Sequence, residues 1–241
     1  MGLAHQPKIV TDGLVFCLDA ADPKSYSGSG SSIYNRSTVK DTGSIYNSTF
    51  SSSDPQSFAF DGADDYFVFD DNDNYTFSDA VATWEAWCKP TGNAGVLEHT
   101  IMTKADYSLN TREYQFQVRY SGGIYYFYLG QQNNNSGWKP IGSTTTSNIS
   151  INQWHHILVT SDGSGNAYMY INGELKTTAT GWWTGQANLG APLCVGATIN
   201  GGTNPIQEFV GNIAVCRLYA KFFNSENVLQ NYNATKSRFG L

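Results

Sequence analysis

The chain of 241 residues has no run of Lys or Arg: its 14 basic residues are scattered and outnumbered by 20 acidic ones, for a net charge of -6. Without a cationic stripe to displace counterions from phosphates, nucleic acid is excluded as an expected partner. Nor is there an apolar run of about eighteen residues, the length that suggests a bilayer-spanning helix, so no membrane insertion is expected. The opening residues MGLAHQPKIVTDGLVF hold no apolar stretch behind a basic start, and the expectation is a chain made in a reducing cytoplasm without a cleaved export signal. Strong helix formers are scarce, with only 3 Met. The 4 cysteines show no metal-ligand spacing; Cys17, Cys88, Cys194 and Cys216 each sit in an apolar alternating segment (LVFCLD, WEAWCKP, PLCVGA, IAVCRLY). They read as buried thiols acting as small hydrophobes. Cys17 and Cys216 lie in the first and last long strands, and whether they pair is left open.

What the sequence does hold is 15 Tyr, 13 Phe and 24 Gly among many Ser, Thr and Asn, the mixture of pleated surface and polar turn found in all-β proteins. Apolar and polar residues alternate over 57–61, 66–70, 83–89, 100–104, 113–120, 124–131, 154–161, 167–172, 193–197 and 209–219, each read as a strand. In 113–120 the face of Tyr114, Phe116, Val118 and Tyr120 is expected in the core and that of Gln115, Gln117 and Arg119 in water. Asn172-Gly173 marks a hairpin. Residues 26–53 read as a long loop region holding one short strand. One helix is expected near the end, capped by Asn224 or Ser225, carrying Val228, Leu229 and Tyr232, finishing near Lys236 and packing across one end of a two-sheet antiparallel β-sandwich. Residues 1–12 are assigned to an N-terminal arm and 13–241 to a single domain.

Five segments in order resemble the laminin-G-like, concanavalin A-like jelly-roll family in its phage-type form. They are the opening GLVFCLDAADP, the stretch SFAFDGADDYFVF, the strand TWEAWCKP, the pair WHHILVTSDGSGNAYMYINGELK, and the tail GNIAVCRLYAKFFNSENVLQNYNATKSRFGL. The resemblance implies a sandwich whose rim or concave face binds sugars, proteins or lipid headgroups, often with a rim calcium. That calcium commonly uses the loop around F-D-G and a carboxylate in the closing strand. Here Asp61 and Asp64 are the candidate ligands, while the closing strand offers Ala214 at the expected carboxylate. Calcium therefore stands as the one candidate cofactor, against a reading in which residues 61–65 form a hairpin turn and Asp70 to Asn74 a solvated loop.

Related glycoside hydrolases set carboxylates on one strand as E-x-D-x-E, and no such pattern occurs here; Glu85 stands alone and Glu113 is followed by Gln115 and Gln117. Retaining hydrolysis needs two carboxyls about 5–5.5 Å apart, so no catalytic residue is assigned. His155 and His156 read as structural. Trp138, Trp182 and Trp183 lie in Gly- and Asn-rich surroundings with Asn134 and Gln186 nearby, the combination of flat ring and amide that binds a sugar. The apolar run of residues 124–129 is expected to be covered on both faces or to meet another subunit. The function expected is a non-enzymatic recognition module, a decoration, tail or fibre component of a phage virion assembled in the host cytoplasm. Its partners would be other virion proteins or cell-surface glycans, and it would be oligomeric or mounted on a particle. The alternatives are a free-standing lectin at an extracellular surface and, behind it, a glycoside hydrolase.

Overall fold

The computed structural model describes residues 7–92, 95, 97–132 and 137–241. Among them the strands form two sheets, of eight and eleven strands, antiparallel but for one parallel contact between Ile199 and Asp106. The first sheet runs Glu174–Thr180, Asn166–Ile171, His155–Asp162, Val81–Pro90, Val210–Tyr219, Ser57–Asp61, Thr49–Ser51, with Leu14–Asp19 also paired to Val210–Tyr219. The second runs Trp138–Ile141, Ile124–Gln132, Thr111–Ser121, Glu98–Asp106, Leu193–Val195, Tyr66–Phe69, Thr42–Tyr46, Ser32–Tyr34, with three two-residue strands attached. All ten expected strands are present within a residue or two of their expected ends.

Alternation explains the core. Trp84, Ala86 and Cys88 point inward from the first sheet to meet Tyr114, Phe116, Val118, Phe127 and Leu129 from the second. Such edge-on aromatic packing, with Trp84 and Tyr114 at 5.5 Å between centroids, adds to the large area these rings remove from water.

Four expectations are corrected. Residues 26–53 hold three strands rather than one, because Ile33 is buried between polar neighbours and Gly43 leaves room for a ring: a Cβ there would lie 2.7 Å from Phe69. Residues 61–65 do not close a hairpin. Ser57–Asp61 belongs to the first sheet and Tyr66–Phe69 to the second, so the turn carries the chain across the sandwich and lets Phe58 and Phe60 face Phe67 at 4.8 and 5.4 Å. The outward face at residues 113–117 is not wet: Glu113, Gln115 and Gln117 are 0%, 2% and 0% exposed. Gln207 folds over it, its Oε1 accepting from Gln115 Nε2 at 2.9 Å and Gln117 Nε2 at 3.2 Å. Finally, the helix Ser225–Thr235, capped by Asn224 through the Asn227 N–H, lies against the outer face of the first sheet instead of its end. That face carries Leu158, Tyr170 and Tyr219, which Val228 and Phe223 cover.

The four cysteines are buried and free. Cys17 sits opposite Arg217 and Cys216 opposite Leu18 in neighbouring strands, and that one-residue offset sends their side chains to opposite faces of the sheet. This answers the pairing question left open by the sequence.

Candidate functional site

Three places hold chemistry-bearing side chains. The first is the crossing turn, where carboxylate oxygens of Asp61, Asp64 and Asp65 lie within 4.8 Å of one another. They line a surface hollow with Asn47 and Thr49. Asp65, which the sequence reading did not single out, accepts the Asp61 N–H at 2.7 Å. Burial pushes its carboxyl up to about 6; the Asp61 N–H opposes this, and the charges of Asp61 and Asp64 reinforce it. The trio could supply part of the oxygen shell of a calcium ion, which takes six to eight oxygens. Ala214 is buried instead beside Trp87 and Phe239.

The second is a pair of buried ionic clusters, one behind each sheet. Glu85 is fully buried, meeting Arg217 Nη1 and His156 Nε2 at 2.9 Å through one oxygen and Asn231 and Tyr219 at 2.7 and 3.2 Å through the other. On the far side Lys104 Nζ reaches Glu113 Oε1 at 2.9 Å and Asp71 Oδ1 at 2.5 Å, and Glu113 also accepts from Thr76 and the Leu189 N–H. Burial raises the Glu113 carboxyl even though Lys104 pulls it down. Neither carboxylate reaches solvent, and each is consumed in holding a loop or helix to its sheet. His155 is likewise structural, its Nε2 2.8 Å from the Ser150 carbonyl, and burial lowers its pKa.

The third is the edge of the second sheet at strand Trp138–Ile141. Trp138 is half-buried and in register with Gln132. Trp183 is half-buried, its Nε1 donating to the Gln131 carbonyl at 2.9 Å, with Lys139 Nζ 5.3 Å from its ring centroid. Trp182 is different: it is 4% exposed and part of the core, so the expectation that it offers a ring face to a ligand is corrected. So is that for Gln186, 5% exposed, whose Nε2 donates to the Glu113 carbonyl at 2.7 Å while its Oε1 accepts the Phe77 N–H. Asn134 lies outside the described residues. Along residues 124–129, Phe127 and Leu129 enter the core and Arg119 lies over the ring of Tyr128 at 3.5 Å, so the second half of the run is covered on both faces, whereas Ile124 is 40% exposed and Tyr125 and Tyr126 are half-buried. Sequence reasoning also passed over Gly130, Gln132 and Lys139. Gly130 carried a signal, since a glycine inside a strand marks a close approach.

With two antiparallel sheets, a short α-helix near the end and the crossing turn in place, the sequence profile of the concanavalin A-like lectin/glucanases superfamily (Laminin_G_3) matches residues 61–229. The chain belongs to that superfamily. Solved structures similar to this jelly roll include the binding domain of paraclostridial mosquitocidal protein 1, with TM-score 0.66 and 16% identity over 92% of this chain and 52% of that one. Two others are binding domains of botulinum neurotoxin DC, one in complex with SialylT (TM-score 0.69, 15% identity, 93% of this chain and 52% of that one). The second is in complex with rat synaptotagmin II (TM-score 0.69, 14% identity, with the same coverage). At such identities the likeness is one of fold, and the chain spans about half the length of each of these relatives. No curated protein matches the chain. A lectin-like jelly-roll module is the description common to the superfamily match and the sandwich.

Proposed function

We propose that this lectin-like jelly roll is a non-enzymatic recognition module that binds a glycan on a cell surface through the Trp138 and Trp183 edge. The observation that carries the reading is that two half-buried tryptophans lie on opposite sides of one four-residue edge strand, each held against the sheet with part of its surface open. Aromatic surface with amides beside it suits the apolar face and hydroxyl rim of a sugar. Structural neighbours are binding domains, one of them in complex with SialylT, which is consistent with the class. Glu85 and Glu113 are buried in ion clusters, and this supports a module without hydrolytic chemistry.

The setting proposed is a phage particle assembled in the host cytoplasm, as a decoration, tail or fibre component; it rests on the resemblance of the opening, GLVFCLDAADP, and the closing, RFGL, to phage-type members. A glycan panel probed with wild type, Trp138→Ala and Trp183→Ala tests the reading. Binding by wild type that at least one substitution weakens is the expected result. Failure of wild type to bind any glycan ends it, and release of reducing sugar from a polysaccharide panel replaces it with hydrolysis. Chromatography and electron microscopy of purified particles test the setting through the presence of the chain in them.

A further inference from the structure

Resting on the glycan reading above, the geometry points to a neutral hexose as the ligand, seated on the outer face of strand Ile124–Gln132 against Trp138 with a hydroxyl donated to Gln132. Phe127 and Leu129 lie in the core, so Tyr128, Gly130 and Gln132 alternate to the outer face. Trp138 is the register partner of Gln132 and shares that face. A Cβ on Gly130 would stand 2.9 Å from Trp138 Cε3 and 2.8 Å from Tyr128 Oη, which means the indole leans on the one residue that leaves it room. Its inner side is thereby fixed while the residue stays partly exposed.

Beside this ring is an unpaired acceptor. Gln132 is 7% exposed, and its Oε1 is closed off from solvent with no hydrogen-bond partner among the described residues, so the side chain turns towards the ring to receive a hydroxyl. A buried carbonyl oxygen without a donor is costly, and any hydroxyl offered to it is strongly favoured. A carboxylate or sulfate would bring a second acceptor and a negative charge instead.

Arg119, the arginine on this face, is already engaged. Arg119 Nη2 pairs with Glu98 Oε1 at 2.8 Å and its Nε donates to Gln117 Oε1 at 3.0 Å, while its plane lies over Tyr128. Lys139, one residue along the edge strand, alternates to the other face and stands over Trp183. The Trp138 seat therefore combines a ring, an acceptor and no free charge, in a chain of net charge -6. A neutral pyranose has the matching parts: an apolar C–H face and hydroxyl donors at its rim.

The test uses a panel of neutral hexose oligosaccharides together with their sialylated, sulfated and uronic-acid counterparts, read with wild type, Gln132→Leu, Trp138→Ala and Trp183→Ala, each first checked for an unchanged melting temperature. Binding to neutral hexoses is expected, with an affinity that changes little as salt is raised. Gln132→Leu and Trp138→Ala each weaken it by about ten-fold or more. Should either of the first two variants fail to fold, the other carries the test. Preference for the charged glycans, or neutral binding that follows Trp183 and ignores Gln132, overturns the seat while leaving glycan recognition standing. A silent panel overturns both.

Discussion

Arg217, His156, Tyr219 and Asn231 converge on Glu85 from two strands and a helix, and the side chains of all five residues are almost entirely removed from water. Burial works against the carboxylate, but Arg217, then His156 and Asn231, outweigh it and hold Glu85 at about 2 against an ordinary value of 4.5. A depressed carboxyl contributes stability that is present above its unfolded value and lost as pH falls through its folded one. Chemical denaturation is therefore expected to show stability falling as pH drops from about 4.5 towards 2. Glu85→Ala removes the partner of a buried guanidinium and should cost about 3–5 kcal/mol in the same measurement at neutral pH. Asp65 behaves in the opposite sense. Raised to about 6 by burial and by its acidic neighbours, it favours the fold below its ordinary value of 3.8 and loses that contribution as pH rises through 6. Asp65→Asn, which keeps an acceptor for the Asp61 N–H, is expected to flatten the stability profile between those values.

The helix Ser225–Thr235 shows what one element holds together. Asn231 on its inner side donates to Glu85 and accepts the Val10 N–H at 2.7 Å, so a single amide ties the helix, the first sheet and the segment that precedes the opening strand. Asn231→Ala strands a buried N–H and weakens a buried carboxylate, and should lower stability by about 2 kcal/mol in a urea titration, with accelerated amide exchange at Val10. The helix itself was legible in the sequence, since Asn224, Glu226, Val228 and Tyr232 follow cap and periodicity rules that are local. Its seat was not. Nothing near residue 231 says that its partners stand at 85 and 10. The same holds for strand Thr111–Ser121, whose alternation was readable but whose outward glutamines are closed over by Gln207, a partner some ninety residues away. At the candidate site, Trp138 and Trp183 remain ligand candidates, whereas Trp182 joins the core. Residues 181–192 have no regular period, and in such a segment sequence offers no rule for which of two adjacent rings turns inward.

At the scale of the whole molecule, the sandwich closes over its thiols. Cys17 is the most exposed of the four at 7%, and burial pushes Cys88, Cys194 and Cys216 well above the ordinary thiol range. Iodoacetamide at pH 8 is expected to label none of them in the native protein and all four in denaturant, with mass spectrometry as the readout. Because no pair is joined, reductant should leave the melting temperature where it is. The strand that closes the first sheet, Val210–Tyr219, is bonded to Val81–Pro90 on one side and to both Ser57–Asp61 and Leu14–Asp19 on the other. Three strands thus wait for one that follows all of them in the sequence. On the ribosome the edges that these three strands turn towards that strand have no native partner until Tyr219 has emerged, and the interval before then is when this sheet most needs shielding from neighbouring chains.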